Sequence, residues 1–356
     1  MYPTFATARR VVPTRRALRV LVTLALCTLV VPGKLAGTGG VAAASRAPEL
    51  AFVSARAGAA HISLIGVDGS RERRLTPGGF ATPAWSPDGR RLAFVRTAGG
   101  HSVILVARAD GSGARAITRP GAEAGLPAWA PGGRRLAVVI AHAGTRQIAT
   151  INADGTGLRR LTAPPGFSTA PVWSPDGRQI AFVSHRDHPN PELYVMRGDG
   201  GGQTRLTRDG VLLRPGVLHS VWLPGGGRLA YVARVGLAEQ AIWVVDASGG
   251  TPRRISTGYA PAWSPDGRRL AFVVARVGDA QIYVMDATGK NVRRITPAGT
   301  HLLPAWSPDG RWIAFVSIRG SDLALWVMRP DGTGQRRLGP IWGDLSLLPL
   351  FAWRPR

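Results

Sequence analysis

The sequence predicts an all-β fold: a seven-bladed β-propeller of four-stranded antiparallel blades, closed by pairing of the C-terminal strand with the N-terminal sheet. Three observations lead to this prediction. A tryptophan-centred repeat recurs every 41–49 residues, each repeat divides into four short apolar runs, and the first and last fragments together make one repeat. A period in this range with four strands per unit is typical of propeller blades.

The repeat is most regular around its tryptophan. Residues 83–95 read PAWSPDGRRLAFV, and residues 261–273 read the same. We expect each indole to wedge between neighbouring blades, because the runs around it are apolar without alternation, as in sheets that are covered on both faces. The tryptophans that anchor the repeats are Trp85, Trp129, Trp173, Trp222, Trp263, Trp306 and Trp353.

Two turn motifs separate the apolar runs. In Ser-Pro-Asp-Gly, which follows the tryptophan, proline presets φ, aspartate suits the third position and glycine accepts a positive φ. In Asp-x-x-Gly, as at residues 110–113, the aspartate can cap the backbone amides of a turn between the third and fourth strands. We interpret the recurring aspartates of the first motif as structural rather than as acid–base pairs: Asp88, Asp176, Asp266 and Asp309.

The two ends of the repeat region complement each other. Residues 50–53 match a second strand without its first, and residues 351–353 match a first strand without its second. Pairing them completes a seventh blade and removes free sheet edges. Deletion of residues 351–356 is therefore expected to open the ring and lower the melting temperature.

Residues 1–44 are expected to be an export signal, and residues 45–356 the propeller. A basic region ends at Arg19, a twelve-residue apolar run follows over residues 20–31, and three alanines at 42–44 suit signal peptidase. Twelve residues are fewer than the roughly 20 that span a bilayer, and an uncleaved anchor is the alternative. We expect an exported protein, in the periplasm, the cell envelope or outside the cell. The single cysteine, Cys27, lies in this segment, so the mature chain would have no disulfide.

The chain is strongly basic, with a formal net charge of +24. Residues 1–44 hold six basic and no acidic residues, so the remainder carries +18, almost entirely as arginine. The excess reflects either the codon usage of a GC-rich genome or an anionic partner, such as lipid or an acidic envelope polymer. Nucleic acid is not favoured, because the basic residues are not interleaved with aromatic ones. We expect a monomer.

The run W-S-P-D-G-x-x-[LI]-A-F-V, followed by [IL]-[YW]-V-M and R-[LI]-T, resembles the repeat of the TolB-like, WD-repeat-like propeller family over roughly residues 49–356. The resemblance implies a periplasmic or extracellular binding scaffold. Similar propellers precede the catalytic domain of prolyl oligopeptidase-type peptidases, whose nucleophile lies in a Gly-x-Ser-x-Gly turn. The sequence has no such motif, which disfavours a serine hydrolase.

Topology suggests where a ligand would bind. The turns between strands one and two and between strands three and four share one face of the disc, and they are short and uniform. The two–three loops and the connections between blades share the other face, and they vary, as binding loops on a rigid scaffold do. The candidate ligand-binding residues at this channel mouth are Phe80, Glu123, Phe167, Arg214, His219, Tyr259, His301, Trp342 and Asp344.

Two connections are long and apolar, at residues 208–220 and 339–350. They form either a patch for a protein or peptide or a plug of the channel core. We expect the 208–220 loop to contribute to binding. The densest two–three loop, residues 185–188, reads His-Arg-Asp-His; two prolines follow and no third spaced ligand is visible, so we interpret it as solvated loop rather than a metal site.

Two function classes stay open. The first is a non-enzymatic scaffold for a protein, peptide or anionic envelope ligand at the channel mouth. The second is a propeller enzyme, a lyase, lactonase or glycan-active hydrolase, in which Glu123, His219, His301 and Asp344 would have to converge within about 3 Å of a substrate. We assign no catalytic residue, cofactor or metal ligand.

Overall fold

The computed structural model describes residues 47–54, 60–142, 144–208, 221–236, 239–341 and 350–355. Every regular element among them is a β-strand. The described strands form five four-stranded antiparallel sheets and one eight-stranded sheet, in which a single parallel pair, Ala280 with Thr300, joins two four-stranded sets. The predicted all-β class with four-stranded antiparallel sheets is confirmed. The expected export signal, residues 1–44, lies outside the described residues. Within the described ranges, no helix has the length and apolar character needed to cross a membrane.

The described strands form seven four-stranded sets, numbered here as blades from the inner strand outward. Blade 1 combines β28 (Phe351–Trp353), β1 (Glu49–Ser54), β2 (His61–Gly66) and β3 (Arg73–Arg74). Blade 2 holds β4 (Phe80–Trp85), β5 (Arg91–Ala98), β6 (His101–Arg108) and β7 (Arg115–Ala116). Blade 3 holds β8 (Gly125–Trp129), β9 (Arg135–His142), β10 (Thr145–Asn152) and β11 (Arg159–Arg160).

The other four blades repeat this order. Blade 4 holds β12 (Ser168–Trp173), β13 (Gln179–Ser184), β14 (Glu192–Arg197) and β15 (Thr204–Arg205). Blade 5 holds β16 (Val221–Trp222), β17 (Arg228–Val235), β18 (Glu239–Asp246) and β19 (Arg253–Thr257). Blade 6 holds β20 (Tyr259–Trp263), β21 (Arg269–Arg276), β22 (Asp279–Asp286) and β23 (Arg293–Arg294). Blade 7 holds β24 (Thr300–Trp306), β25 (Ile313–Arg319), β26 (Asp322–Met328) and β27 (Arg336–Pro340).

The inner strands follow one another from blade to blade. Each inner strand from β28 through β4, β8, β12, β16 and β20 to β24 contacts the next. At the ends of the chain, β28 pairs with β1, with Trp353 opposite Leu50. The indole of Trp353 also donates a hydrogen bond to the carbonyl of Ala305 in β24, at 2.9 Å. A closed ring of seven blades, as predicted, requires contacts of this kind.

The tryptophans lie between blades, as expected. Four indole N–H groups donate to a backbone carbonyl of the preceding blade. In each case the acceptor is the residue just before the anchoring tryptophan of that preceding blade. These bonds are Trp129 to Ala84 at 2.9 Å, Trp222 to Val172 at 3.1 Å, Trp306 to Ala262 at 3.0 Å, and Trp353 to Ala305. Each bond satisfies a buried donor and fixes the distance between inner strands.

Arginines at the start of the second strand cover three of the anchoring tryptophans. The guanidinium of Arg91 lies 5.0 Å from the ring centroid of Trp129, that of Arg135 lies 5.7 Å from Trp173, and that of Arg269 lies 4.7 Å from Trp306. Each is a cation–π contact from one blade to the next. Part of the arginine excess is therefore structural.

A second group of arginines lies on the outer edge. The fourth strands are short, and they are the only strands whose outer backbone edge has no partner among the described residues. Arginine side chains on short edge strands prevent pairing with another sheet. These residues are Arg73, Arg74, Arg115, Arg159, Arg160, Arg205, Arg253, Arg254, Arg293, Arg294, Arg336 and Arg337.

The two loop sets lie on opposite faces, as the pairing order requires. We call the face with the Ser-Pro-Asp-Gly and Asp-containing turns the turn face. We call the opposite face, with the two–three loops and the blade-to-blade connections, the connection face.

Candidate functional site

The nine predicted ligand-binding residues fall into three groups. Arg214, His219, Trp342 and Asp344 lie outside the described residues, as does most of the 208–220 loop. Phe80, Tyr259 and His301 are buried, with 6%, 3% and 1% of their surface exposed. Glu123 and Phe167 are exposed on the connection face.

The three buried residues lie in inner strands rather than in loops. Each inner strand of blades 2, 3, 4, 6 and 7 carries a bulge, where the pairing register shifts ahead of the tryptophan. The bulge is marked by a left-handed residue three positions before the tryptophan: Thr82, Leu126, Ala170, Ala260 and Leu303. An extra residue bends a strand without ending it, so β4, β20 and β24 begin earlier than the sequence indicates.

His301 is a core residue of blade 7. Its ring packs edge-on against Phe315, with 5.6 Å between centroids. Burial lowers the pKa of His301, and the positive charge of Arg319 lowers it further, while Asp279 and the carbonyl of Ala298 oppose the shift. His301 is therefore a residue of the blade 7 core and not of an exposed loop. The two long connections, for which a core plug was the alternative, lie mostly outside the described residues.

Phe80 and Tyr259 are likewise enclosed by other side chains. The ring of Phe80 meets that of Phe94 at 5.3 Å in an edge-to-face arrangement. Burial raises the pKa of the Tyr259 hydroxyl. Both residues therefore contribute to the core beneath the connection face.

Phe167 is an exposed aromatic residue of this face, with 40% of its surface accessible. Pro164 and Pro165, which precede it, are also exposed, and we call these three residues the blade 4 patch. The ring of Phe167 meets the imidazole of His185 edge-on at 6.4 Å. Gly166 fixes the approach of the chain, because its φ is +86° and an added Cβ would lie 2.8 Å from the backbone of Arg186.

The loop beside this patch, residues 185–188, is half-exposed to exposed, and hydrogen bonds brace it. The hydroxyl of Tyr194 donates to Asp187 at 2.6 Å. The Nδ1 atom of His185 lies 3.1 Å from the carbonyl oxygen of Pro189. The amide of Asn190 donates to Nδ1 of His188 at 3.1 Å. The loop is thus a fixed polar rim beside the patch.

Arg186 anchors the rim from below. Its guanidinium lies 5.3 Å from the ring of Phe182 and 5.2 Å from that of Tyr194, and it donates to Gln203. Burial lowers the pKa of Arg186, although Tyr194 and Asp187 oppose the shift. Burial, the bond to Asp187 and its charge raise the pKa of Tyr194. The sequence offered no signal for this arrangement, because it joins residues of two strands, a turn and a loop.

Three aspartates of the Ser-Pro-Asp-Gly turns, Asp88, Asp176 and Asp266, have a lowered pKa. Although burial raises the pKa of Asp88, the Ser86 hydroxyl and the Arg90 amide lower it to a net value below its ordinary range. The same serine–aspartate bond occurs in blades 4, 6 and 7. Such carboxylates serve as caps of their turns, which agrees with the structural interpretation. Across the described ranges, no three His, Cys, Asp or Glu residues form a group suited to a metal ion.

The family model of the TolB beta propeller domain matches residues 49–259 and 217–345. The Tol-Pal system protein TolB of Thioalkalivibrio sulfidiphilus is 43% identical over 75 residues, which are 19% of this chain and 17% of that protein.

Two further similarities involve proteins named as enzymes. The uncharacterized peptidase YuxL of Bacillus subtilis is 34% identical over 101 residues, which are 26% of this chain and 15% of that protein. The matches to both curated relatives thus span less than a fifth of their lengths. The structure of an oligogalacturonate lyase in complex with manganese has a TM-score of 0.61 and 15% identity, covering 83% of this chain and 85% of that one. This last similarity is one of fold.

Proposed function

Because the chain belongs to the TolB β-propeller family, we propose that it is an exported, non-enzymatic scaffold whose connection face binds a protein or peptide. Propeller folds host many functions, so the proposal rests on the site. The observation that carries it is the blade 4 patch: an exposed phenylalanine and two exposed prolines beside a braced polar rim.

The patch has the composition of a recognition site for a polypeptide. An aromatic residue in the middle and polar groups at the edge are the usual anatomy of a protein interface. Since Gly166 and the 185–190 loop hold the ring in place, little side-chain freedom remains to be lost on binding. A protein or peptide is favoured over an anionic polymer here, because Pro164, Pro165 and Phe167 carry no charge.

The described titratable groups of this face support binding more than chemistry. Asp187 accepts the Tyr194 hydroxyl, and His185 faces the Pro189 carbonyl. His301 is enclosed in the core with a lowered pKa. A channel enzyme would need an acid and a base within reach of one substrate atom.

Export is part of the proposal, and the leader pattern of residues 1–44 supports it. Signal peptidase cleavage after Ala44 would leave a mature chain that begins at Ser45. N-terminal sequencing of protein recovered from the periplasm or medium tests this; intact residues 1–44 would indicate the uncleaved anchor instead.

A matched pair of variants tests the binding surface. Phe167→Ala removes the aromatic anchor, and Leu158→Ala removes an apolar side chain of similar exposure, 51%, from the turn face. Affinity capture from envelope extract with full-length protein is expected to recover a discrete partner with wild type and Leu158→Ala, and about tenfold less with Phe167→Ala.

Two results contradict the proposal. One is equal capture by wild type and Phe167→Ala, since the patch would then contribute nothing. The other is catalytic turnover of a lactone or an acidic glycan by the purified protein, which would establish the enzyme alternative.

A further inference from the structure

A cleft opens on the turn face between blades 6 and 7, opposite the face of the proposed partner. Its volume is about 640 Å³, and it is lined by Arg269, Arg311, Trp312, Arg329, Pro330 and Asp331. Small-molecule sites in proteins typically measure about 300–1,000 Å³. The cleft therefore has room for a small ligand of a few rings.

Trp312 is a departure from the repeat. The corresponding residues, which open the second strand in blades 2 to 6, are Arg91, Arg135, Gln179, Arg228 and Arg269. Where this residue is Arg91, Arg135 or Arg269, its guanidinium covers the tryptophan of the next blade. In blade 7 the position holds an indole that is half-buried and lines the cleft. The contact that stabilises other blade pairs does not account for this residue.

The contact that Arg329 makes also differs from that of its counterpart in blade 4. The equivalent Arg197 of blade 4 lies 3.4 Å from Asp199, the aspartate of its own turn. Arg329 instead lies over the ring of Trp312, 5.9 Å from its centroid. Its turn aspartate, Asp331, accepts bonds from the amide and hydroxyl of Thr333 at 2.9 and 2.7 Å.

The charge of the cleft is therefore unbalanced. Three arginines, Arg269, Arg311 and Arg329, line the cleft together with one carboxylate, that of Asp331, which is already engaged in its own turn. Although burial raises the pKa of Asp266, the Ser264 hydroxyl, the Arg268 amide and the nearby charge of Arg269 lower it, so part of the Arg269 charge is offset beside its own turn. The Thr333 bonds lower the pKa of Asp331, so it stays ionised and cannot donate to a ligand anion at neutral pH.

We propose that this cleft binds an anionic saccharide, a sugar ring that bears a carboxylate or phosphate. Guanidiniums bind both groups through paired N–H donors. The indole provides a flat surface whose negative π face attracts the C–H face of a sugar ring, as it attracts other positively polarised edges. A bare anion would contact the arginines alone, whereas a sugar ring would also contact Trp312.

Calorimetric titration of the full-length protein with three probes tests the ligand class. The probes are a trisaccharide of uronic acid, the same trisaccharide with its carboxylates methyl-esterified, and inorganic phosphate. The acidic trisaccharide is expected to bind with a Kd below about 1 mM, and the ester about tenfold more weakly, because it retains the rings and loses the charges. A fourth probe, a glucose phosphate, shows whether the cleft prefers sugars that bear a phosphate or sugars that bear a carboxylate.

Matched variants test the residues. Arg311→Gln is expected to weaken trisaccharide binding about fivefold, while Arg178→Gln, at the same turn position of blade 4, leaves it within about twofold. Trp312→Ala is expected to weaken the trisaccharide about tenfold but not phosphate, and Trp312→Phe to retain most of the affinity because it keeps an aromatic face. Arg311 and Arg178 are both exposed, so these variants report binding rather than folding.

Three outcomes overturn the inference: no measurable binding of the acidic trisaccharide, equal affinity for its ester, or an affinity unchanged by Trp312→Ala. Tighter binding of an acidic tripeptide than of the trisaccharide would assign the cleft to a peptide instead. The cleft and the blade 4 patch lie on opposite faces, so the Phe167→Ala and Trp312→Ala results separate failure of this site from failure of the proposed function.

Discussion

The guanidinium of Arg354 lies over the indole of Trp85, 5.2 Å from the ring centroid. The same side chain bonds to the Glu49 carboxylate at 2.7 Å and to the Gly89 carbonyl at 2.9 Å. A residue that follows the last strand is thus joined to the first strand, to a turn of blade 2 and to the tryptophan of that blade. It repeats, at the junction of the chain ends, the arginine–tryptophan contact that links other blades.

Arg354→Ala is expected to lower the free energy of unfolding by about 2–3 kcal/mol, because it leaves the nearly buried Glu49 carboxylate without its cation and uncovers Trp85. Arg354→Lys should recover about half of the loss, since an ammonium keeps the charge but not the stacked, forked geometry. Chemical denaturation measures both. As a control, Arg178→Ala removes an arginine whose side chain is 87% exposed and should change little. Equal stability of Arg354→Ala and wild type would show that this residue does not hold the ends together.

Trp173→Ala tests the packing between blades 3 and 4. Trp173 has no exposed surface, so truncation is expected to cost about 3–5 kcal/mol, the range for large core aromatics. Trp312→Ala, which truncates a half-exposed indole, should cost clearly less. A loss below about 1 kcal/mol for Trp173→Ala, measured by denaturant titration, would argue against an indole wedged between blades.

Gly111 and Gly69 occupy the same turn position in blades 2 and 1, with φ of +88° and +81°. A Cβ on Gly111 would lie 2.5 Å from the carbonyl oxygen of Leu75 in the preceding blade, whereas a Cβ on Gly69 meets nothing within 4 Å. Gly69→Ala is expected to cost about 1–2 kcal/mol from its left-handed backbone alone. Gly111→Ala should cost at least about 1–2 kcal/mol more, because two backbones must separate. Equal losses would mean that the turns of neighbouring blades do not pack together.

Acid should destabilise the protein through its turn aspartates. The Ser112 hydroxyl and amide lower the pKa of Asp110 below its ordinary 3.8, and Thr156 does the same for the pKa of Asp154. A carboxyl with a lowered folded-state pKa stabilises the fold above its unfolded value and loses that contribution as pH falls through the folded value. The melting temperature is therefore expected to fall below about pH 4. The double variant Asp110→Asn, Asp154→Asn should show a shallower fall; a slope equal to that of wild type would exclude these caps as its origin.

Much of the fold could be predicted from the repeat, because the same residue types form the strands and turns of each blade. The tryptophan position, the Ser-Pro-Asp-Gly turn and the all-β class all depend on local patterns. The bulge at Thr82 and its counterparts was not visible, since it involves ordinary residues in a left-handed conformation. That bulge extended the inner strands over Phe80, Tyr259 and His301, so residues expected in loops are in the core.

The rim beside the blade 4 patch could not be predicted, because it depends on contacts between distant parts of the chain. The bracing of Arg186 by Phe182, Tyr194 and Gln203 has no sequence signature, because strand pairing alone brings these residues together. Trp312 did carry a signal: it breaks the arginine pattern of the repeat at one position. A departure from a repeat marks a residue whose contacts differ from those of its counterparts, and Trp312 both packs against the core cluster and lines the cleft.

Photo-cross-linking in living cells can show whether the connection face binds a polypeptide partner. A photoreactive phenylalanine analogue at position 167 is compared with the same analogue at position 158 on the turn face. We expect a discrete cross-linked species from position 167 and none from position 158, with a partner identifiable by mass spectrometry. No adduct at position 167, or the same adduct at both positions, would show that this face does not bind such a partner.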